Sequence, residues 1–223
     1  MERWSRGVLL TLFLTAMVLS NKFISLGSIH MFLCLGEIIF LVFAVVKLSG
    51  YTRGELGLGG EFHPIKHILF PFVFFIFPLV VVAFVPHNAM PPWKFLLYFL
   101  NYLIIAGLIE ELLFRGLLFA SLEERFGGWA ALFGNSVIHW LAHFAVGLNI
   151  SQLIAALILS SYRLAFRRIE PLILVHGLWD AVFIALNPKL LGWWGIVIMF
   201  PLVGALFSIL VYDVSRISKA GHS

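Results

Sequence analysis

Cysteine is all but missing from this 223-residue chain: Cys34 stands alone, which excludes an intramolecular disulfide framework and any cysteine-based metal centre. Charge is nearly as scarce. Asp, Glu, Lys and Arg make up 12% of the residues, about half the share with which a soluble domain wets its surface. That shortage excludes a soluble globule and a disordered segment alike. No internal repeat and no low-complexity tail is visible, so a single domain over 1–223 is expected. What is there instead is apolar. Hydrophobic residues account for 61% of the chain and the mean hydropathy is +1.02. Apolar runs long enough to cross a bilayer recur along the sequence.

Splitting the chain at charges, proline and glycine gives eight candidate spans, at 4–21, 27–47, 66–86, 95–121, 128–148, 151–168, 170–187 and 193–213. The expected fold is all-α, a polytopic membrane bundle of about eight transmembrane helices. The opening Met1 to Arg6, followed by an apolar stretch, has the outline of a signal peptide. No clear small-residue cleavage site follows it, so it reads as a retained first helix. Ser49 to His63 is the one sizeable polar loop, and its Gly57-Leu58-Gly59-Gly60 lacks the strand context of a phosphate cradle, which predicts a flexible connection.

The net charge of +4 and pI near 9.4 come from scattered Lys and Arg, not from a patch, so nucleic acid is not an expected partner. Positive loops remain cytoplasmic. With eight spans and the N-terminus inside, eleven of the fifteen Lys and Arg fall inside and only Lys22, Lys94 and Lys189 outside. Both termini are therefore predicted cytoplasmic, in a multi-pass protein of a cell membrane. Arg163, Arg167 and Arg168 read as part of this topology signal, with anionic lipid as a lesser alternative.

Ionisable residues inside hydrocarbon are costly enough that each is a functional candidate. The fourth span holds Glu110, Glu111 and Arg115, the fifth His139 and His143, the seventh His176 and Asp180. Residues four apart share a helix face, so Glu111 and Arg115 are expected to form an ion pair. Glu110, turned by about 100°, is left clear of that arginine. A hairpin turning at Gly127-Gly128 brings Glu110 and His143 to comparable depth, allowing for tilt. Together with His176 they form a reaction vocabulary: a base, its partner and donors for an oxyanion. Asp180, one turn beyond His176, is expected to orient that imidazole, or to donate a proton itself if burial keeps it protonated. Asn101 and Asn135 are candidate interhelical hydrogen bonders, and Glu37 in the second span has no assigned role.

Glu110-Glu111-Leu112-Leu113-Phe114-Arg115 reads E-E-x-x-x-R and His176-Gly177-Leu178-Trp179-Asp180 reads H-x-x-x-D. With His143 between them, the chain resembles the CPBP family, the CAAX-protease and bacteriocin-processing (Abi) family of intramembrane glutamate proteases, over residues 110–180. The resemblance implies a catalytic core at 95–187 and an endopeptidase in which Glu110 activates a water with help from His143. It further implies that His176 and Asp180 line the oxyanion site, while Glu111 and Arg115 hold the helix geometry. One position departs from the pattern: the family's second motif is F-x-x-x-H, and here the aromatic is replaced by His139.

That replacement opens a rival chemistry, because His139 and His143 make an H-x-x-x-H pair of a spacing used by zinc sites, which Glu110 and His176 could complete. The H-E-x-x-H of membrane zinc proteases is absent. The preferred reading needs no metal and no cofactor, with His139 in a supporting or packing role. A third possibility is a non-catalytic membrane binder or partner-stabilising subunit. Expected partners are the bilayer and a membrane or lipid-anchored protein substrate, for which prenylated tails, bacteriocin-type leaders and C-terminal sorting tags all remain open.

Overall fold

The computed structural model describes residues 2–20, 28–59, 62, 64, 67–68 and 91–186. Among them there is no strand. Helix α1 covers Arg3–Ser20, and α2 covers Ser28–Phe43 and runs into a π-helical turn at Ala44–Leu48. A long central rod follows, made of α3 at Pro92–Tyr102, a π-helical stretch at Leu103–Leu118 and α4 at Phe119–Phe126. Helix α5 spans Gly128–Ala142 and tightens into a 3-10 turn at His143–Val146; α6 is Ile150–Phe166 and α7 is Glu170–Leu186.

Local chemistry sets these boundaries. Pro92 opens the rod at a first-turn position, where its missing N–H is no loss and its fixed φ is already helical. Gly127 closes the rod at φ 84°, a conformation that a Cβ would penalise. Between them the π-helical stretch packs against α7, α1 and α2. Leu112, Leu117 and Leu118 of the rod meet Leu14 of α1, Leu41 of α2 and Leu56 of the following loop in one solvent-free cluster. Truncating a leucine in such a cluster costs about 2–5 kcal/mol.

Two glycines let α7 approach the rod at backbone distance. A Cβ on Gly177 would stand 2.6 Å from the Leu103 Cα, and one on Gly107 would stand 2.3 Å from the Ile173 carbonyl oxygen. Helices α5 and α6 are held by a buried polar knot. The Asn135 amide donates to Ser160 Oγ at 2.8 Å, and Ser136 Oγ bonds the same oxygen at 3.1 Å while also donating to the Leu132 carbonyl at 2.7 Å. This is the interhelical role expected of Asn135.

The all-α class holds, but the transmembrane detail differs from expectation. The described residues form six helical rods, not about eight spans. Among them no helix is long and apolar enough to cross a membrane. The reason is local: α6 and α7 each have 17 residues, α1 carries Arg3, Trp4, Ser5 and Arg6 in its opening turns, and the central rod is broken into α and π portions. Span 193–213 lies outside the described residues, as does all of 66–86 apart from His67 and Ile68.

The polar loop after α2 is docked where a flexible connection is expected. Tyr51 and Leu56 are buried, the Ile169 amide donates to the Gly57 carbonyl at 2.9 Å, and the Gly59 amide donates to Glu170 at 2.7 Å. Burial pushes the Tyr51 phenol up to about 12. Glu55 is held below its ordinary value chiefly by the Thr52 amide, which donates to it at 2.7 Å; partial burial opposes this, and the Thr52 hydroxyl and Arg3 support it.

The arginine cluster also differs from a free positive patch. Arg163 is 2% exposed, giving Nε to the Arg115 carbonyl at 3.0 Å and Nη2 to the Glu55 carbonyl at 2.6 Å. Arg167 pairs with Glu123, and Arg168 with Glu170 at 2.8 Å.

Candidate active site

The π-helical stretch turns Glu110 and Glu111 toward different surroundings. Glu111 and Arg115, both without solvent exposure, bond at 3.0 Å across one turn, and the other arm of Arg115 donates to the Ala156 carbonyl of α6 at 3.4 Å. Two opposite charges so deeply placed persist only as a pair, because removing either strands the other. This is the ion pair expected from the four-residue spacing.

Glu111 has a second task that the sequence did not indicate. His176 of α7 places its Nδ1 2.6 Å from the same Glu111 oxygen that receives Arg115. The hydrogen bond on His176 Nδ1 therefore comes from the neighbouring rod, where Asp180 had been expected to supply it. The close approach at Gly177 explains the difference: it brings α7 near enough for a residue on the facing helix to reach the ring. Asp180 lines the cavity one turn beyond.

Glu110 faces the other way, into a cavity of about 570 Å³. Its Oε2 accepts from His139 Nε2 at 2.9 Å and lies 3.9 Å from His176 Nε2. Here too a partner differs from expectation. His139, foreseen as packing or support, touches the carboxylate directly, while His143 donates from Nδ1 to the His139 carbonyl at 3.0 Å. The helix geometry accounts for this, since α5 ends at Ala142 and His143 already belongs to the tighter turn that follows. One ligating atom each from Glu110, His139 and His143 lie within 4.8 Å of one another. His139 also packs its ring on Phe114 at 4.4 Å between centroids.

The cavity has a polar end and an apolar body. Glu110, His139, His143, His176 and Asp180 gather at the former; Ile105, Ile109, Leu113, Val175 and Trp179 form much of the latter, with Val18 and Leu19 contributed by α1. Asn101 and Tyr102 line it as well. Tyr102, Trp179 and the α1 residues were not singled out from the sequence, since an aromatic or aliphatic residue on an apolar helix gives no sign of which one faces a cavity. Such a space, with few converging polar groups on apolar walls, is the usual form of a small binding site.

Residues 92–182 match the family model described as Type II CAAX prenyl endopeptidase Rce1-like. No curated protein and no solved structure matches the chain. The matched segment holds the central rod, α5, α6 and most of α7, hence Glu110, Glu111, Arg115, His139, His143, His176 and Asp180. The resemblance to the CAAX-protease and bacteriocin-processing family therefore holds over this part of the chain, and that family is one of peptide-bond hydrolases.

Proposed function

We propose that the chain is a glutamate-type intramembrane endopeptidase that cleaves a membrane-associated protein, with Glu110 as the base. The observation that carries this reading is the division of labour between adjacent carboxylates: Glu111 is committed to Arg115 and His176, whereas Glu110 opens on the cavity among three imidazoles. Glu110 meets no arginine or lysine among the described residues, only imidazoles, and it presents its carboxylate to the cavity where proton transfer would occur.

In the proposed reaction a water molecule between Glu110 and His143 loses a proton to Glu110 as its oxygen attacks the scissile carbonyl carbon. His176, anchored through Nδ1 by Glu111, turns Nε2 toward the cavity, where a protonated nitrogen donates to the oxyanion; Asp180 lies beside it. The intermediate collapses as Glu110 returns the proton to the departing amine nitrogen and the C–N bond breaks. His139 holds the Glu110 carboxylate in place.

The chain would lie in a cell membrane as a multi-pass protein with both termini cytoplasmic, supported by its hydropathy, its Lys and Arg distribution and the membrane character of the matched family. Prenylated tails, peptide leaders and sorting tags all satisfy the apolar cavity. Comparing protein termini in native membranes carrying wild type or Glu110→Gln is the test. New termini should appear with wild type only, at least about 10³-fold above the variant; equal cleavage by a normally folded variant would overturn the mechanism, and no cleavage by either would favour a non-catalytic binder.

A further inference from the structure

The replacement of an aromatic residue by His139 adds a nitrogen donor at the point where Glu110 and His143 already converge. We infer that Glu110, His139 and His143 bind one divalent transition-metal ion of the zinc class, and that its binding reversibly switches the peptidase off. The binding half stands on geometry alone; the inhibitory half rests on Glu110 being the base.

Three features support binding. The donor set is two imidazoles and one carboxylate, a set that suits zinc and its neighbours and not magnesium or calcium, which take oxygen ligands. The tautomer of His143 is already fixed: Nδ1 gives its proton to the His139 carbonyl, so the lone pair is left on Nε2, and metal-bound histidines are commonly held this way. The donors are also near enough. They lie within 4.8 Å of one another, and ligands about 2.1 Å from a shared ion stand at most about 4.2 Å apart. The ion would enter between Glu110 Oε2 and His139 Nε2, now hydrogen-bonded at 2.9 Å, and the Nε2 proton that makes that bond would move to Nδ1 as the metal takes its place. In a tetrahedral shell such ligands stand about 3.4 Å apart, so side-chain movement on the order of 1 Å closes the set, and His143 lies at the junction of α5 with its terminal turn. The cavity supplies the entry path and an open coordination position toward His176.

Inhibition follows from what the ion would take. Coordination through Glu110 Oε2 occupies the lone pair that receives the proton from water. The adjacent carboxylate does not replace it, because Glu111 is engaged by Arg115 and His176.

The test uses purified full-length protein in lipid bilayers, titrated with cobalt(II) and followed by its visible d–d absorption, then displaced by zinc. One ion per chain with the intense spectrum of low coordination number is expected. His139→Gln keeps a hydrogen-bond donor toward Glu110 and should weaken binding by more than about a hundredfold, beyond the loss typical of residues behind the ligands. Absence of stoichiometric binding, or equal affinity in His139→Gln, overturns the site. Cleavage by wild type should fall as zinc fills the site and recover with a chelator. Cleavage that requires the metal, lost on chelation and restored by zinc, would overturn the inhibitory role and the metal-free base together, whereas cleavage by Glu110→Gln would overturn the base and leave the binding result standing.

Discussion

Two of the ionic clusters among the described residues are built from the same kinds of side chain at nearly the same distances. In one, Arg115 meets Glu111 at 3.0 Å with both side chains fully out of solvent; in the other, Arg3 meets Glu55 and Glu124 at 2.9 Å with more than a third of the arginine exposed. Distance alone would rank them equal. Burial separates them, because a charge stripped of solvent has no substitute for its partner, while an exposed one turns to water.

The sharpest way to break the comparison is to remove one arginine from each. Arg115→Ala leaves Glu111 buried beside His176 and also frees the Ala156 carbonyl, so a stability loss of about 3–5 kcal/mol is expected. Melting of the purified protein checks this, and an unchanged transition with lost cleavage would place Arg115 in the chemistry. Next in size is Gly177→Ala, which drives a methyl group to 2.6 Å from the Leu103 Cα. Displacing α7 from the rod should cost about 1–3 kcal/mol and lower cleavage further by loosening His176 from Glu111, seen as a drop in turnover larger than the fraction unfolded. Arg3→Ala should cost under about 1 kcal/mol and leave cleavage unchanged.

The smallest effect concerns pH. Glu55 is held below its ordinary 4.5, foremost by the Thr52 amide. Its contribution to stability is complete above that ordinary value and disappears as pH falls through the depressed one. The melting difference between wild type and Glu55→Gln should therefore be constant near neutrality and close progressively in acid below 4.5.

What could be read in advance follows the range of each interaction. Glu111 and Arg115 are one helical turn apart, so their pairing was written in the spacing, and Glu110, His143, His176 and Asp180 were found by residue type in an apolar chain. Contacts between elements were less legible. His139 to Glu110 and His176 to Glu111 join residues 29 and 65 positions apart, and which of several nearby imidazoles reaches which carboxylate depends on helix rotation that no single-helix period encodes. The π-helical course of Leu103–Leu118 has no signature of its own, yet it sets that rotation. Arg163 misled for the opposite reason: its charge suggested a surface, while its donors are consumed by two backbone carbonyls.

That last contact makes the loop after α2 a graded handle on the site. Gly54 has nothing near the position of an added side chain, so a cysteine placed there for a fluorophore would report from the edge of the molecule without disturbing it. Three residues on, Gly57 sits at φ 78° with Arg163 Nε 3.0 Å from where a Cβ would be. A label at that point would press on Arg163, and Arg163 holds the carbonyl of Arg115. Two attachment points within one short loop thus offer, respectively, a silent beacon and a mechanical lever on the helix that carries Glu110.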